Sequence, residues 1–317
     1  MTRSIIAALL LSIAGTGHGQ VVLPDWDTVT VKTTDLGHGL YVLEGFGGNI
    51  GVLTGPDGVL LVDDQYDQLS EKNLAAIREL SDQAIHFVIN THWHGDHVGA
   101  NAAMQALGAH IISTDETRVF MEQHNATLQD TTDQAAMTLP VATFRDQMTF
   151  HMNGQEVRVL KVRSAHTAGD AVVEFQPANV IHMGDASFNG FYPFIDVANG
   201  GSIDGMIELH REIHDRADDQ TVIVFGHGPN GKRVDLLRYR SMLITVRDRV
   251  ASALDAGMEL DTLIASTPLA DLDPEWGDNL IKAPVLLEMI YKDLSKNGWQ
   301  PEPAEEQAAQ ASAAALP

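Results

Sequence analysis

No cysteine occurs among the 317 residues. Thiolate is thereby excluded as metal ligand and as nucleophile, and disulfides are excluded as a source of stability. Any metal site must be built from His, Asp and Glu. Basic residues are scarce: 20 Lys and Arg stand against 43 Asp and Glu, a formal charge of -23. Such a surface repels phosphate backbones and anionic headgroups, and no basic patch interrupts it, which argues against nucleic acid as a partner. Long apolar runs are missing too. The longest, Ser4 to Ala14, falls short of the roughly 20 residues a membrane span needs.

That run has another use. Arg3 precedes it and the small residues Gly15 to Gly19 follow it, the pattern of a cleaved signal peptide over residues 1–19. A periplasmic or secreted protein is expected. A chain this long buries a core without cross-links. Residues 20–300 are expected to form one domain, and the Ala-, Glu- and Gln-rich stretch 301–317 a disordered tail.

Short β-prone runs open the mature chain: Thr28 to Lys32, Leu40 to Glu44, Asn49 to Thr54 and Gly58 to Val62, separated by Gly and Asp clusters. Leu74, Ile77 and Leu80 then recur at helical spacing within Leu69 to Ser81. His86 to Asn90 reads as a strand, Ala102 to Leu107 and Thr117 to His124 as helices, and Thr127 to Pro140 as a polar surface excursion. Strands return at Phe150 to Met152, Glu156 to Val162, Ala171 to Phe175, Val180 to Met183 and Val222 to Phe225. Met206 to His214, Leu236 to Ala256 and Pro284 to Leu294 read as helices. Two strand blocks flanked by helices predict an α/β fold, a four-layer αββα sandwich.

The strand ending at Asn90 runs into Thr91-His92-Trp93-His94-Gly95-Asp96-His97. In an extended backbone His92 and His94 point to one side and can share an ion. Gly95 permits a tight turn that swings Asp96 and His97 toward a second ion. Fourteen histidines make some clustering expected by chance. Three further ligand types, however, each sit where a strand gives way to a loop: His166, Asp185 and His227. Imidazole and carboxylate are the donors zinc takes when thiolate is absent.

The ordered set His-x-His-x-Asp-His, then His, Asp and His, resembles the metallo-β-lactamase superfamily, over roughly Thr28 to Gly228. The resemblance implies the αββα fold and a dizinc hydrolase. His92, His94 and His166 would hold the first zinc, and Asp96, His97 and His227 the second. Asp185 would bridge them, as the matching residue does in glyoxalase II. Asp63 would support the metal loop without binding metal. A hydroxide between the zincs would attack an acyl carbon, with Asp96 as the catalytic residue orienting it or moving its proton.

Substrate is less determined by fold. The missing cysteine sets the chain apart from the cysteine-dependent lactamases, and Asp185 sets it apart from the cysteine-free ones. The acidic C-terminal region suits neither nucleic acid nor glutathione. Hydrolysis of a strained cyclic amide, as in β-lactamases, is the leading expectation, with lactone, ester or thioester hydrolysis behind it. Iron or manganese in place of zinc, an iron sulfur dioxygenase and a non-catalytic metal-binding protein are the remaining readings. His210 and His214, four apart on a helix but without a zincin's Glu, read as a solvated face. Phe188, Phe191, Tyr192 and Phe194 read either as core or as an apolar wall over the metals.

Overall fold

Period-two alternation of apolar side chains sets the layers of this chain. The computed structural model describes residues 23–128, 136–278 and 281–296. The expected leader, the expected tail and residues 129–135 of the polar excursion lie outside the described residues. Seven strands form one sheet in sequential order: β1 (Lys32–Gly37), β2 (Leu40–Glu44), β3 (Ile50–Leu53), β4 (Val59–Val62), β5 (Ile85–Ile89), β6 (His110–Thr114) and β7 (Ala142–Phe144). Six form the second: β8 (Gln147–Met152), β9 (Gln155–Lys161), β10 (Ala171–Gln176), β11 (Val180–His182), β12 (Val222–Val224) and β13 (Gly231–Lys232). The helices are α1 (Ser70–Leu80), α2 (Gly95–Val98), α3 (Asn101–Ala106), α4 (Asp115–Thr127), α5 (Ile203–Arg216), α6 (Arg233–Asp255), α7 (Leu260–Ala265), α8 (Asp273–Trp276) and α9 (Ala283–Lys296).

In β4, Val59 and Leu61 join an outer cluster with Ile77 of α1 and Met104 of α3. Leu60 and Val62, one residue out of phase, join Val157 and Val159 of β9 and Val173 and Phe175 of β10 between the sheets. Val172 and Ile181 turn the other way, onto Met206 and Leu209 of α5 and Leu243 and Val246 of α6. Helix, sheet, sheet, helix: the expected four-layer αββα sandwich is what forms. Each sheet contains a parallel pair whose C-terminal ends matter most here, β4 with β5 and β11 with β12. Among the described residues, no helix is long and apolar enough to cross a membrane.

Three expectations need correction. The first strand lies at Lys32–Gly37, after a short 3-10 turn over Trp26–Thr28. The Lys72 ammonium takes the carbonyls of Trp26, Asp27 and Val29, which removes this stretch from sheet pairing. Short helices α7 and α8 occupy sequence with too few turns to show a period. His210 is fully buried rather than solvated, because α6 covers that face of α5. Its Nδ1–H donates to the Met206 carbonyl, Ser187 Oγ donates to its Nε2, each at 2.7 Å, and its ring stacks on Tyr239. His214, by contrast, is half-buried beside Asp215.

Burial pushes the His210 imidazole down from 6.5 to about 4. Above pH 6.5 the ring is neutral in folded and unfolded chain alike. As pH falls through 6.5 the unfolded chain takes a proton that the fold refuses, and stability declines until the fold protonates near pH 4. The group's share of that decline is on the order of 3 kcal/mol. His210→Gln should therefore flatten the fall in urea-unfolding free energy between those pH values. An unchanged slope would show that His210 is not held neutral.

Candidate metal centre

The two parallel strand pairs end at the same edge of the sandwich, and the sequence places ligand types just past them. Asp63 follows β4, His92 to His97 follow β5, Asp185 follows β11 and His227 follows β12, while His166 lies between β9 and β10. The seven expected ligands come together there as two sets. His92, His94, His166 and Asp185 form one, and Asp96, His97 and His227 the other, with the donor atoms of each set within 4.8 Å of one another. Asp185 faces both. Its Oδ2 lies 3.9 Å from His92 Nε2 and 3.7 Å from His166 Nε2, and its Oδ1 lies 3.0 Å from His97 Nε2 and 3.3 Å from His227 Nε2.

Gly95 does not make the turn expected of it. It is the first residue of α2, and the amides of His97 and Val98 both donate to the His94 carbonyl. Helical winding, about 100° per residue, carries Asp96 and His97 away from His92 and His94. The backbone of Gly95 is helical and does not enter the left-handed region that favours glycine.

Outer hydrogen bonds decide which ring nitrogen faces inward. Asp63, fully buried at the end of β4, accepts from the Thr91 amide (2.7 Å), Thr91 Oγ1 (2.8 Å) and His97 Nδ1 (2.8 Å). With its own proton given to Asp63, Thr91 Oγ1 accepts from His92 Nδ1 at 3.1 Å. His166 Nδ1 donates to the Phe194 carbonyl at 2.8 Å, and His94 Nε2 donates to Asp196 at 3.1 Å. The nitrogen that each ring turns into the site is thus fixed: Nε2 of His92, His97 and His166, and Nδ1 of His94. Two of these, His166 Nε2 and His94 Nδ1, face each other at 2.8 Å.

Burial opposes charge at Asp185, Asp96, His97, His227, His92 and His166, and the partners decide the outcome. Against burial, His227 and His97 hold Asp185 well below the usual carboxylate range, and His97 and His227 hold Asp96 at about 2. Asp185 and Asp96 push His227 up to about 9 and raise His97 well above its ordinary value. Burial and the neighbouring imidazoles drive His92 far down and His166 to about 4. His92 Nε2 is buried with no hydrogen-bond partner. A buried atom left this way is costly unless something else satisfies it. Nitrogen and oxygen donors converging in this way fit a metal cation, which would take the place of the protons that Asp185 and Asp96 draw onto His97 and His227.

Two further groups shape the site. Gly226 precedes His227, and a Cβ there would lie 2.1 Å from Asp185 Oδ1, so only glycine lets the two turns meet. Asp196 is the orienting group that the sequence did not disclose. The aromatic residues after Asp185 divide between the two readings offered for them. Phe188 and Tyr192 are buried in the core, whereas Phe191 and Phe194 are part-exposed. The Phe194 ring lies 5.8 Å from that of His94, and Phe188 stacks on His227 at 5.6 Å. Trp93, beside His94, and Tyr66, whose phenol is raised by burial and by Asp96, complete a partly apolar rim.

Residues 43–227, more than half of the chain, match the sequence profile of the Metallo-beta-lactamase superfamily. A metallo-beta-lactamase from Pontibacter korlensis superposes with TM-score 0.57 at 19% identity, over 68% of this chain and 99% of that one. The DIM-1 metallo-beta-lactamase gives 0.58 at 16%, with the same coverage. A double mutant of a sec-alkyl sulfatase gives 0.64 at 15%, over 89% of this chain and 54% of that one. In sequence, a linear primary-alkylsulfatase from a Pseudomonas species is 28% identical over 101 residues. That match takes in 31% of this chain and 18% of the relative, so the chain aligns with less than a fifth of the sulfatase's length.

Asp63 serves both donor sets, His97 directly and His92 through Thr91. Asp63→Asn should therefore weaken metal binding at both, by about 10–100-fold, the usual cost of losing an outer partner. Competition against a chromophoric chelator measures it. Unchanged affinity would remove Asp63 from the supporting role.

Proposed function

The chain belongs to the metallo-beta-lactamase superfamily, and from that premise we propose a dizinc hydrolase that activates water against a small acyl substrate. Strained cyclic amides of the β-lactam type are the first candidates, followed by lactones, esters and thioesters. The observation that carries the dinuclear reading is Asp185, with one oxygen turned to each donor set. His92, His94 and His166 would hold one zinc, Asp96, His97 and His227 the other, and Asp185 both. When bound, such a pair supplies Lewis acidity that lowers the pKa of water toward neutrality and stabilises oxygen charge at the scissile group.

The chain's own residues supply the rest. Asp96 is the only carboxylate of its donor set, and its Oδ2 lies 3.2 Å from His227 Nε2. Its side chain is 20% exposed, against 6% for Asp185. It is placed to take a proton from the attacking water and pass it to the leaving group. Phe194, Phe191 and Trp93 offer apolar surface for a substrate's non-reacting part and exclude competing water.

A second reading, sulfate-ester hydrolysis at the same centre, is favoured by the sequence match to a linear primary-alkylsulfatase, and the structure of a different sulfatase, the sec-alkyl sulfatase, superposes over more of this chain than the lactamases do. The leader at residues 1–19 belongs to this proposal as an exported protein, and the amino-terminal sequence of the mature protein checks it.

Metal analysis of the purified chain should return two zinc ions, and chelation should abolish turnover that zinc then restores. Asp185→Asn should lose about one ion per chain and at least about 100-fold in kcat/KM. A panel of chromogenic cephalosporin, lactone, thioester and alkyl sulfate assigns the substrate class. Chelator-insensitive turnover, or no turnover of any of these by the dizinc form, would overturn the proposal; iron in place of zinc would redirect it to oxidation.

A further inference from the structure

We propose that Asn49 is a positioning residue for the second metal position, holding His227 at the distance from His97 that a shared ion requires. The proposal rests on the dinuclear reading above.

Asn49 stands one residue before β3 and is 4% exposed. Its side-chain amide uses both hydrogens on distant backbone: Nδ2 donates to the Phe225 carbonyl at 2.9 Å and to the Gly228 carbonyl at 2.8 Å. Its backbone N–H donates to the Gly226 carbonyl at 2.7 Å. These three acceptors bracket His227 on both sides. The Asn49 carbonyl in turn accepts from His182 Nε2 at 3.1 Å, which ties the residue to β11.

The preceding residue faces the other ligand. The Gly48 amide donates to the Asp96 carbonyl at 3.2 Å, and Gln65 Nε2 donates to the Gly48 carbonyl at 2.6 Å. A Cβ at Gly48 would lie 2.2 Å from Cε1 of His97, so the bare backbone packs against that imidazole. One dipeptide thus abuts His97 from the first sheet and clamps the turn of His227 from the second. The resulting Nε2–Nε2 separation is 3.3 Å. No other side chain of this size combines the shape with two amide hydrogens. Asp would set a carboxylate against two carbonyl oxygens, and Leu would leave both without a donor.

The ligands of the first position are held by different groups, Thr91, Asp196 and the Phe194 carbonyl. Loss of Asn49 should therefore be felt unequally, which a general loss of packing would not produce.

The test is a zinc titration of the full-length, metal-free chain against a chromophoric chelator, with circular dichroism to verify the fold. Wild type should bind two ions; if it does not, the dinuclear reading fails and Asn49 is not at issue. In Asn49→Ala the first affinity should stay within about twofold while the second falls by roughly 10–100-fold. Asn49→Asp, equal in shape, should repeat the selective loss, and cobalt substitution should show one of two absorbing sites emptied. Equal weakening of both positions, or of neither, overturns the proposal. So does failure of both variants to fold, which would assign Asn49 to the architecture alone.

Discussion

Lone pairs of buried imidazoles directed at one another are the constraint around which this molecule is arranged. Left alone they repel, and His92 Nε2 among them has no hydrogen-bond partner. Such a cluster persists only when every ring is fixed from behind and a positive charge is supplied in front. The fixing is visible: Asp63, Thr91, Asp196 and the Phe194 carbonyl each take the outward proton of a histidine. The same bonds that stop the rings from rotating choose the nitrogen each presents, so the supporting shell sets both geometry and chemistry.

Sheet topology explains why the donors reach one place. A parallel pair sends two C-terminal ends in the same direction, and each sheet contributes one such pair at this edge. Loops past those ends carry close backbone contacts, as where the Gly226 amide donates to the carbonyls of Gly184 and Ser187. The Ala171 amide donates to the Thr91 carbonyl and joins the metal loop of one sheet to a strand of the other. The interior between the sheets is apolar, so the polar groups collect at its rim.

Much of this was legible in the residues. The unbroken apolar run Val59 to Val62 announces a strand, and the run from His92 to His97 announces a metal site by donor density alone. His166, Asp185 and His227 could be picked out because each is a ligand type at a strand exit, though their division into two sets came through the family resemblance. Asp196 and Asn49 were not legible. An Asp or Asn in a loop carries no period, and their roles depend on partners 102 and 176 positions away. His210 misled for a related reason: helical spacing shows which residues share a face, not which face a later helix will cover. The first strand was displaced by a single lysine, Lys72, whose claim on three carbonyls has no local signature.

The division of donors between the halves of the chain has a consequence for assembly. Everything up to position 97 supplies four of the seven donors, but splits them between the two sets, so neither set is complete without side chains from beyond position 160. Metal captured at this seam would act as a clasp across the two sheets, its binding free energy added to the docking of one upon the other. Starvation for metal would then loosen the sandwich at one edge while its distant layers stay shut.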